Sequence, residues 1–374
     1  MKITDLKLRQ LQGTMEYQGT LWEERGGRPL DIYPAFRALN AKDTMRKQFP
    51  SVGENRYQVT QTFLTIETDE GVTGVVGPLT GDATAFYLGT QLKSLLIGQN
   101  PLATEYLWDV MYRNAPNGRV GDNMIAISHV DYALWDIKGK ALNLPIHALL
   151  GGKIKDQVPV YASSMKRDMT PLEEAKRAVS LVEQGYSAYK LHSAVPGKID
   201  DPSDQTIETV TEVRKAVGDN VDILVDVNGA YSVHKSIEIG KQLEELNVFH
   251  FEEPRPHYDL QGLSEVADAL TIPIASGEMI YSLYEYRDLI IKGKVDIIQP
   301  DIVKTPGFTT FIKIANLAES FGIPITCHNT QPTISTVAHA HFVASSSIVP
   351  YAQEYNIENI SIRDEYPILK EPLK

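Results

Sequence analysis

Between residues 221 and 328 the chain repeats one pattern, a short apolar run that closes on a single residue able to bind a metal or carry a proton. The runs read VDILVDVN, VFHFEEP, IPIASGE, VDIIQPD and IPITCH. They close on Asp226, Glu252, Glu278, Asp301 and His328, at gaps of 26, 26, 23 and 27 residues. A gap of about 25–30 residues holds one strand, one helix and their loops, the repeat of a βα barrel whose eight units fill roughly 250 residues. The alternation starts upstream with VPVYAS (158–163) and SAYKLH (187–192) and ends near IVPYAQE (348–354), so eight candidate strands are present. Amphipathic segments separate them, such as PLEEAKRAVSLVEQG, with Pro171 at a helix start and Gly185 at its end. Strands alternating with helices predict a parallel sheet, and eight of them favour a closed barrel over an open sheet. Neither GxGxxG after the first strand nor GxxxxGK[ST] occurs, so the common nucleotide-binding folds lack their fingerprints.

A chain of 374 residues exceeds one barrel, and the N-terminal part has a different texture. Ile3, Leu6, Leu8 and Leu11 alternate with polar residues as in a half-buried strand. Residues 57–77 hold two β-rich runs joined at Asp69-Glu70-Gly71, a hairpin whose turn uses Gly71 for its φ > 0 position. Residues 83–150 are largely helical by periodicity, with Ile127, Val130, Ala133, Leu134 and Ile137 on one face and a close at Gly151-Gly152. The polar insert 13–56, with Trp22, Arg25, Arg28, Tyr33, Arg37 and Arg46, has the length of a lid or binding loop. The expected organisation is an α+β capping domain over residues 1–125, completed by the C-terminal segment at about 355–374, and a barrel domain over 126–354.

A net charge of −12 without a Lys/Arg cluster argues against a nucleic-acid surface. An anionic small molecule remains compatible, because a local cation outweighs a diffuse, screened net charge. The single cysteine, Cys327, excludes an intrachain disulfide. With no apolar leader and no uninterrupted apolar run of membrane-spanning length, the expectation is a cytoplasmic protein without a membrane partner.

Residues at the C-terminal ends of barrel strands share one rim. Asp226, Glu252 and Glu278 therefore converge, and three such carboxylates need a counter-cation. An all-oxygen set fits Mg2+, with Mn2+ as the alternative, better than zinc. Asn228, two residues past Asp226 and facing the same way, is placed to position a metal-bound water or a substrate oxygen. Lys190 and His192 are two apart on one strand end, so both point into the same space. Asp301 and His328 close successive strands, and an acid beside an imidazole fixes its tautomer and raises its basicity. Proton-transfer groups on both sides of a metal-bound carboxylate point to abstraction of an α-proton.

On these residues, with the VDYALWDIKGKALNLPIHALLGG segment and the N-terminal hairpin, the sequence resembles the enolase superfamily, specifically the mandelate racemase-like branch that includes acid-sugar dehydratases. The resemblance implies an α/β fold, a TIM-like (β/α)7β barrel with an N-terminal α+β capping domain, and a site that combines a Lys or His base with Mg2+. Carried across, Asp226, Glu252 and Glu278 are the metal ligands and Asp301 with His328 the dyad. Glu354 lies where the branch keeps an acid that hydrogen-bonds the substrate carboxylate. The branch commonly has Lys-x-Lys where this chain has Lys190-Leu191-His192, which puts His192 at the usual base position and Lys190 near the substrate carboxylate. Lys304-Thr305-Pro306-Gly307 stands where a pair of glycines is usual. The resemblance also implies a homo-oligomer acting on a small-molecule carboxylate.

The activity expected is a Mg2+-dependent dehydration of an aldonate or aldarate to a 2-keto-3-deoxy acid. A racemase or epimerase and a cycloisomerase share the first half-reaction, and a barrel that binds a sugar acid without turnover is the alternative of another class. Cys327, one residue before His328, is expected to face away from the rim as a small apolar side chain. His250, His339 and His341 fall inside strands or helices and read as structural.

Overall fold

A computed structural model describes residues 1–16, 29–33, 51–167, 169–330 and 334–358. Most of the arginine-rich insert, including Trp22, Arg25, Arg28, Arg37 and Arg46, lies outside the described residues. So does the C-terminal segment beyond 358.

The N-terminal unit is an antiparallel sheet backed by helices. β1 (Ile3–Glu16) pairs with β3 (Arg56–Thr68) from Ile3 opposite Thr68 to Glu16 opposite Arg56. β2 (Ser51–Gly53) and β4 (Thr73–Val76) also pair with β3. The β3–β4 turn is the expected hairpin, with Gly71 at φ 77° and its N–H on the Thr68 carbonyl. Along β1 only the first half packs: Ile3 and Leu6 are buried, whereas Leu8 and Leu11 are exposed. Leu8 and Leu11 thus depart from the alternation expected of them.

The helix Asp122–Leu142 joins this unit to the barrel. Ile127, Val130, Ala133, Leu134 and Ile137 are all buried, as their spacing predicts. One side meets the hairpin, where Asp136 accepts from the Val75 N–H at 2.9 Å. The other meets the barrel, where Ser128 donates to the Ile302 carbonyl at 2.5 Å and Trp135 Nε1 to Thr309 Oγ1 at 3.1 Å. The boundary expected near residue 125 falls in the first turn of this shared helix. The helix stops at Leu142 on a left-handed Asn143, and a short helix, Ile146–Leu149, occupies the rest of the run toward Gly151.

Seven parallel strands follow: β5 (Val160–Ser163), β6 (Ala188–His192), β7 (Asp222–Asp226), β8 (His250–Glu252), β9 (Ile274–Ser276), β10 (Ile297–Ile298) and β11 (Gln353–Asn356). Their order is β10-β9-β8-β7-β6-β5-β11. The eighth expected strand, residues 323–328, pairs at one bridge only, Ile298 with Ile325. Pro324 has no N–H to give a ladder. Side chains complete the circle instead: the Cys327 N–H meets Gln353 Oε1 at 2.7 Å and the Asn329 N–H meets Glu354 Oε2 at 2.7 Å. The curled sheet is therefore closed by polar side chains at the level of the rim.

Strand parity sorts the side chains. Tyr189, Leu191, Ile223, Val225, Phe251 and Cys327 join the core between sheet and helices. Tyr161, Ala188 and Leu224 form a small cluster inside the barrel. The inward residues one step higher are Lys190, His192, Asp226 and Glu252. Helix Pro171–Glu183, which backs β6, starts on a Thr170 and Glu173 capping box, so its position is fixed at the end next to the rim. Among the described residues no helix is long and apolar enough to cross a membrane.

The hairpin lies so close to helix Asp122–Leu142 that a Cβ at Gly74 would sit 2.2 Å from the Ala133 carbonyl oxygen. Backbone cannot yield as a side chain can. Gly74→Ala is expected to cost about 2–3 kcal/mol in chemical denaturation, and an unchanged midpoint would show that the two units are not packed this way.

Candidate active site

Asp226 closes β7, Glu252 closes β8, and Glu278 follows β9 by two residues. Their ligand atoms all lie within 4.8 Å of one another. Each carboxylate faces a basic side chain. His192 Nε2 is 2.9 Å from Asp226 Oδ2, Lys190 Nζ is 3.0 Å from both oxygens of Glu252, and His328 Nε2 is 3.0 Å from Glu278 Oε2. Lys304 Nζ stands 3.6 Å from Glu278 Oε1.

Burial acts against charge on all these groups, and the partners outweigh it. Burial raises Asp226, but His192 and Lys190 hold it below the usual carboxylate range. Glu278 is likewise raised by burial and then drawn well below that range by His328 and Lys304. Burial disfavours the Lys190 ammonium, yet Glu252 and Glu354 lift it well above an ordinary lysine. Without such cations these side chains could not be packed at 0–1% exposure, as Lys190, Asp226 and Glu252 are.

The expected dyad is formed. His328 Nδ1 lies 2.7 Å from Asp301 Oδ2, and the second Asp301 oxygen accepts the Val303 N–H at 2.8 Å. Burial lowers His328, while Glu278 and Asp301 raise it to about 10. His192 is oriented from behind, its Nδ1 donating to the Ser164 carbonyl at 2.5 Å, which turns Nε2 to Asp226. Glu354 also reaches the site, although its oxygens are already taken: Oε1 meets Lys190 at 2.8 Å and Ser163 Oγ at 2.8 Å, and Oε2 meets the Asn329 N–H. Burial raises Glu354, and Lys190 overrides it to about 2. Asn228, at φ 43°, folds back so that its N–H and Nδ2 donate to Asp226 at 2.8 and 3.1 Å. The structure thus brings Lys190, His192, Asp226, Asn228, Glu252, Glu278, Asp301, His328 and Glu354 into one constellation.

Two members were not singled out in the sequence. Arg167 reaches Asn228 Oδ1 and donates to the Ala194 carbonyl at 2.5 Å, and no spacing rule marks a residue four past a strand end. With His192, Ser193, Asp201 and Ser203 it lines a cavity of about 160 Å³ beside the site. Glu253 should face outward by parity from Glu252. A left-handed backbone at φ 42° breaks that parity, and its carboxyl is buried and pushed well up by burial and by Glu278, Asp226 and Glu252. Cys327 is buried in the outer core, as expected. His339 is held at both ring nitrogens, by the Ser335 carbonyl and the Ile302 N–H, and His341 stacks on His147.

Residues 173–374 match the enolase C-terminal domain-like family, and residues 41–151 match the mandelate racemase/muconate lactonizing enzyme N-terminal domain. The chain belongs to the enolase superfamily, in its mandelate racemase-like branch. It is therefore an enzyme of that superfamily. It is 33% identical over 317 residues to an arabinonate dehydratase of Saccharolobus solfataricus, covering 83% of this chain and 82% of that one. It is 34% identical over 271 residues to a D-galactonate dehydratase of Verminephrobacter eiseniae, covering 71% and 70%. A mandelate racemase/muconate lactonizing protein from Paracoccus denitrificans complexed with magnesium shares 27% identity at a TM-score of 0.77, over 96% of this chain and 86% of that one.

In metal-free protein the raised His328 stabilises the fold below its ordinary value near 6.5, and this contribution is lost as pH rises toward about 10. The difference in urea midpoint between the metal-free protein and His328→Asn is expected to shrink across that window. A difference independent of pH would show that His328 is not the buried partner of Glu278.

Proposed function

We propose that the protein is a Mg2+-dependent sugar acid dehydratase. The supporting observation is the pair of proton-transfer groups flanking the carboxylate triad, His328 at Glu278 and His192 with Lys190 at Asp226 and Glu252. The two dehydratase relatives favour an aldonate or aldarate as substrate.

Asp226, Glu252 and Glu278 would hold the ion: all donors are oxygens, they converge within 4.8 Å, and each already faces a basic side chain. When bound, Mg2+ (or Mn2+) supplies Lewis-acid stabilisation of charge developing on the substrate carboxylate. Lys190, buried and cationic, adds to that stabilisation from beneath. His328 takes the proton α to the carboxylate at Nε2, because Asp301 fixes its Nδ1 and stabilises the imidazolium. His192, on the other side of the triad, is placed to give a proton to the departing β-hydroxyl. Loss of water across C2–C3 leaves an enol that becomes a 2-keto-3-deoxy acid. The cavity beside Arg167 offers the polar groups that the remaining hydroxyls need.

Two histidines facing one triad from opposite sides also suit racemisation. Incubating aldonic and aldaric acids with the protein and Mg2+ in D2O separates the readings. Keto acid from at least one member is expected; deuterium exchange with inversion and no keto acid would make it a racemase, and no exchange anywhere would defeat both. His328→Asn is expected to lower kcat by about 10²–10⁴, and activity that survives it would remove His328 as the base.

A further inference from the structure

His250 stands two residues before Glu252 on β8, so its side chain shares the inward face of that strand. The residue is completely buried, and neither ring nitrogen has a hydrogen-bond partner among the described residues. Its neighbour across the sheet is Leu224, and the Phe249 ring lies 5.6 Å away. Glu252 is the one carboxylate within 4 Å among the described residues, with Oε2 at 3.5 Å from Nε2. An imidazole in this position is an expensive choice. Each buried polar atom left unsatisfied costs about 1–3 kcal/mol, and a leucine or phenylalanine would carry no such cost. The Glu252 carboxylate, meanwhile, has both oxygens on Lys190 at 3.0 Å.

We infer that His250 is a positioning residue for the metal centre, steadying Glu252 through Nε2–H when that carboxylate serves the ion. This rests on the reading of Asp226, Glu252 and Glu278 as metal ligands. A carboxylate that ligates a cation is held by outer hydrogen bonds, and their loss typically weakens binding 10–100-fold. Lys190 cannot fill that role alone, since it also bonds Glu354 at 2.8 Å. The 3.5 Å separation is one small rotation from a hydrogen bond. Tyr161 Oη and both side-chain polar atoms of Gln299 likewise have no partner among the described residues.

Mg2+ titration calorimetry on metal-free wild type, His250→Phe and His250→Gln tests this. The phenylalanine variant is expected to bind Mg2+ about 10–100-fold more weakly. The glutamine variant, which keeps a donor, should stay within about threefold. Equal affinity in wild type and His250→Phe would overturn the inference while leaving the metal ligands in place. A wild type that takes up no Mg2+ would instead defeat the ligand reading, and this inference with it. Should His250→Phe fail to fold, nitrogen-15 NMR of the wild-type histidines gives the answer. A His250 ring resonance that moves to a hydrogen-bonded position on Mg2+ addition supports the inference, and one that does not move overturns it.

Discussion

Charge compensation in the barrel mouth is the interaction on which the rest of the structure depends. Three carboxylates within 4.8 Å repel by at least about 3 kcal/mol per ionised pair at an effective dielectric constant of 20. Burial adds a desolvation cost to each. What makes the arrangement tenable is a basic side chain within hydrogen-bond distance of every acid, Lys190 at Glu252, His192 at Asp226 and His328 at Glu278. The Lys190 and His328 contacts lie at 3.0 Å, where opposite charges attract strongly. The strands, their parity and the side-chain closure at Gln353 and Glu354 all serve to place these charges opposite one another.

The same basic side chains are the groups that chemistry at this site requires. A lysine and two histidines balance the acids in the protein alone, and an ion bound by the acids would free them for work on a substrate. His328 is already aligned by Asp301, and His192 by the Ser164 carbonyl. Both imidazoles are thus preorganised by groups that remain in place whichever partner occupies Nε2. One set of side chains serves the fold and the reaction, which is economical in a site where few polar groups can be buried.

Much of this was legible in the sequence because period 2 along strands and a near-even spacing between strand ends are geometric facts. Asp226, Glu252, Glu278, Asp301 and His328 were found by spacing, and Lys190 with His192 by parity. Local backbone overrides the period at two positions. Glu253 turns inward only because its φ is positive, and Asn228, also at positive φ, bends back on Asp226. The eighth strand was expected as a ladder, and Pro324 with two side-chain acceptors replaces it. Arg167 comes from a loop, where no periodicity applies. His250, inside a strand, reads as structural in the sequence; the same parity that locates Glu252 also puts its ring in the barrel interior.

The decisive observation is where a divalent ion sits. Anomalous diffraction from a crystal of the protein soaked in Mn2+, which takes the same oxygen ligands as Mg2+, should show one peak bounded by Asp226, Glu252 and Glu278, with Lys190 and His328 no longer bonded to the oxygens that hold the ion. A peak at another position, or no peak while the three acids keep their pairings with Lys190, His192 and His328, would contradict the assignment of these carboxylates as a metal centre.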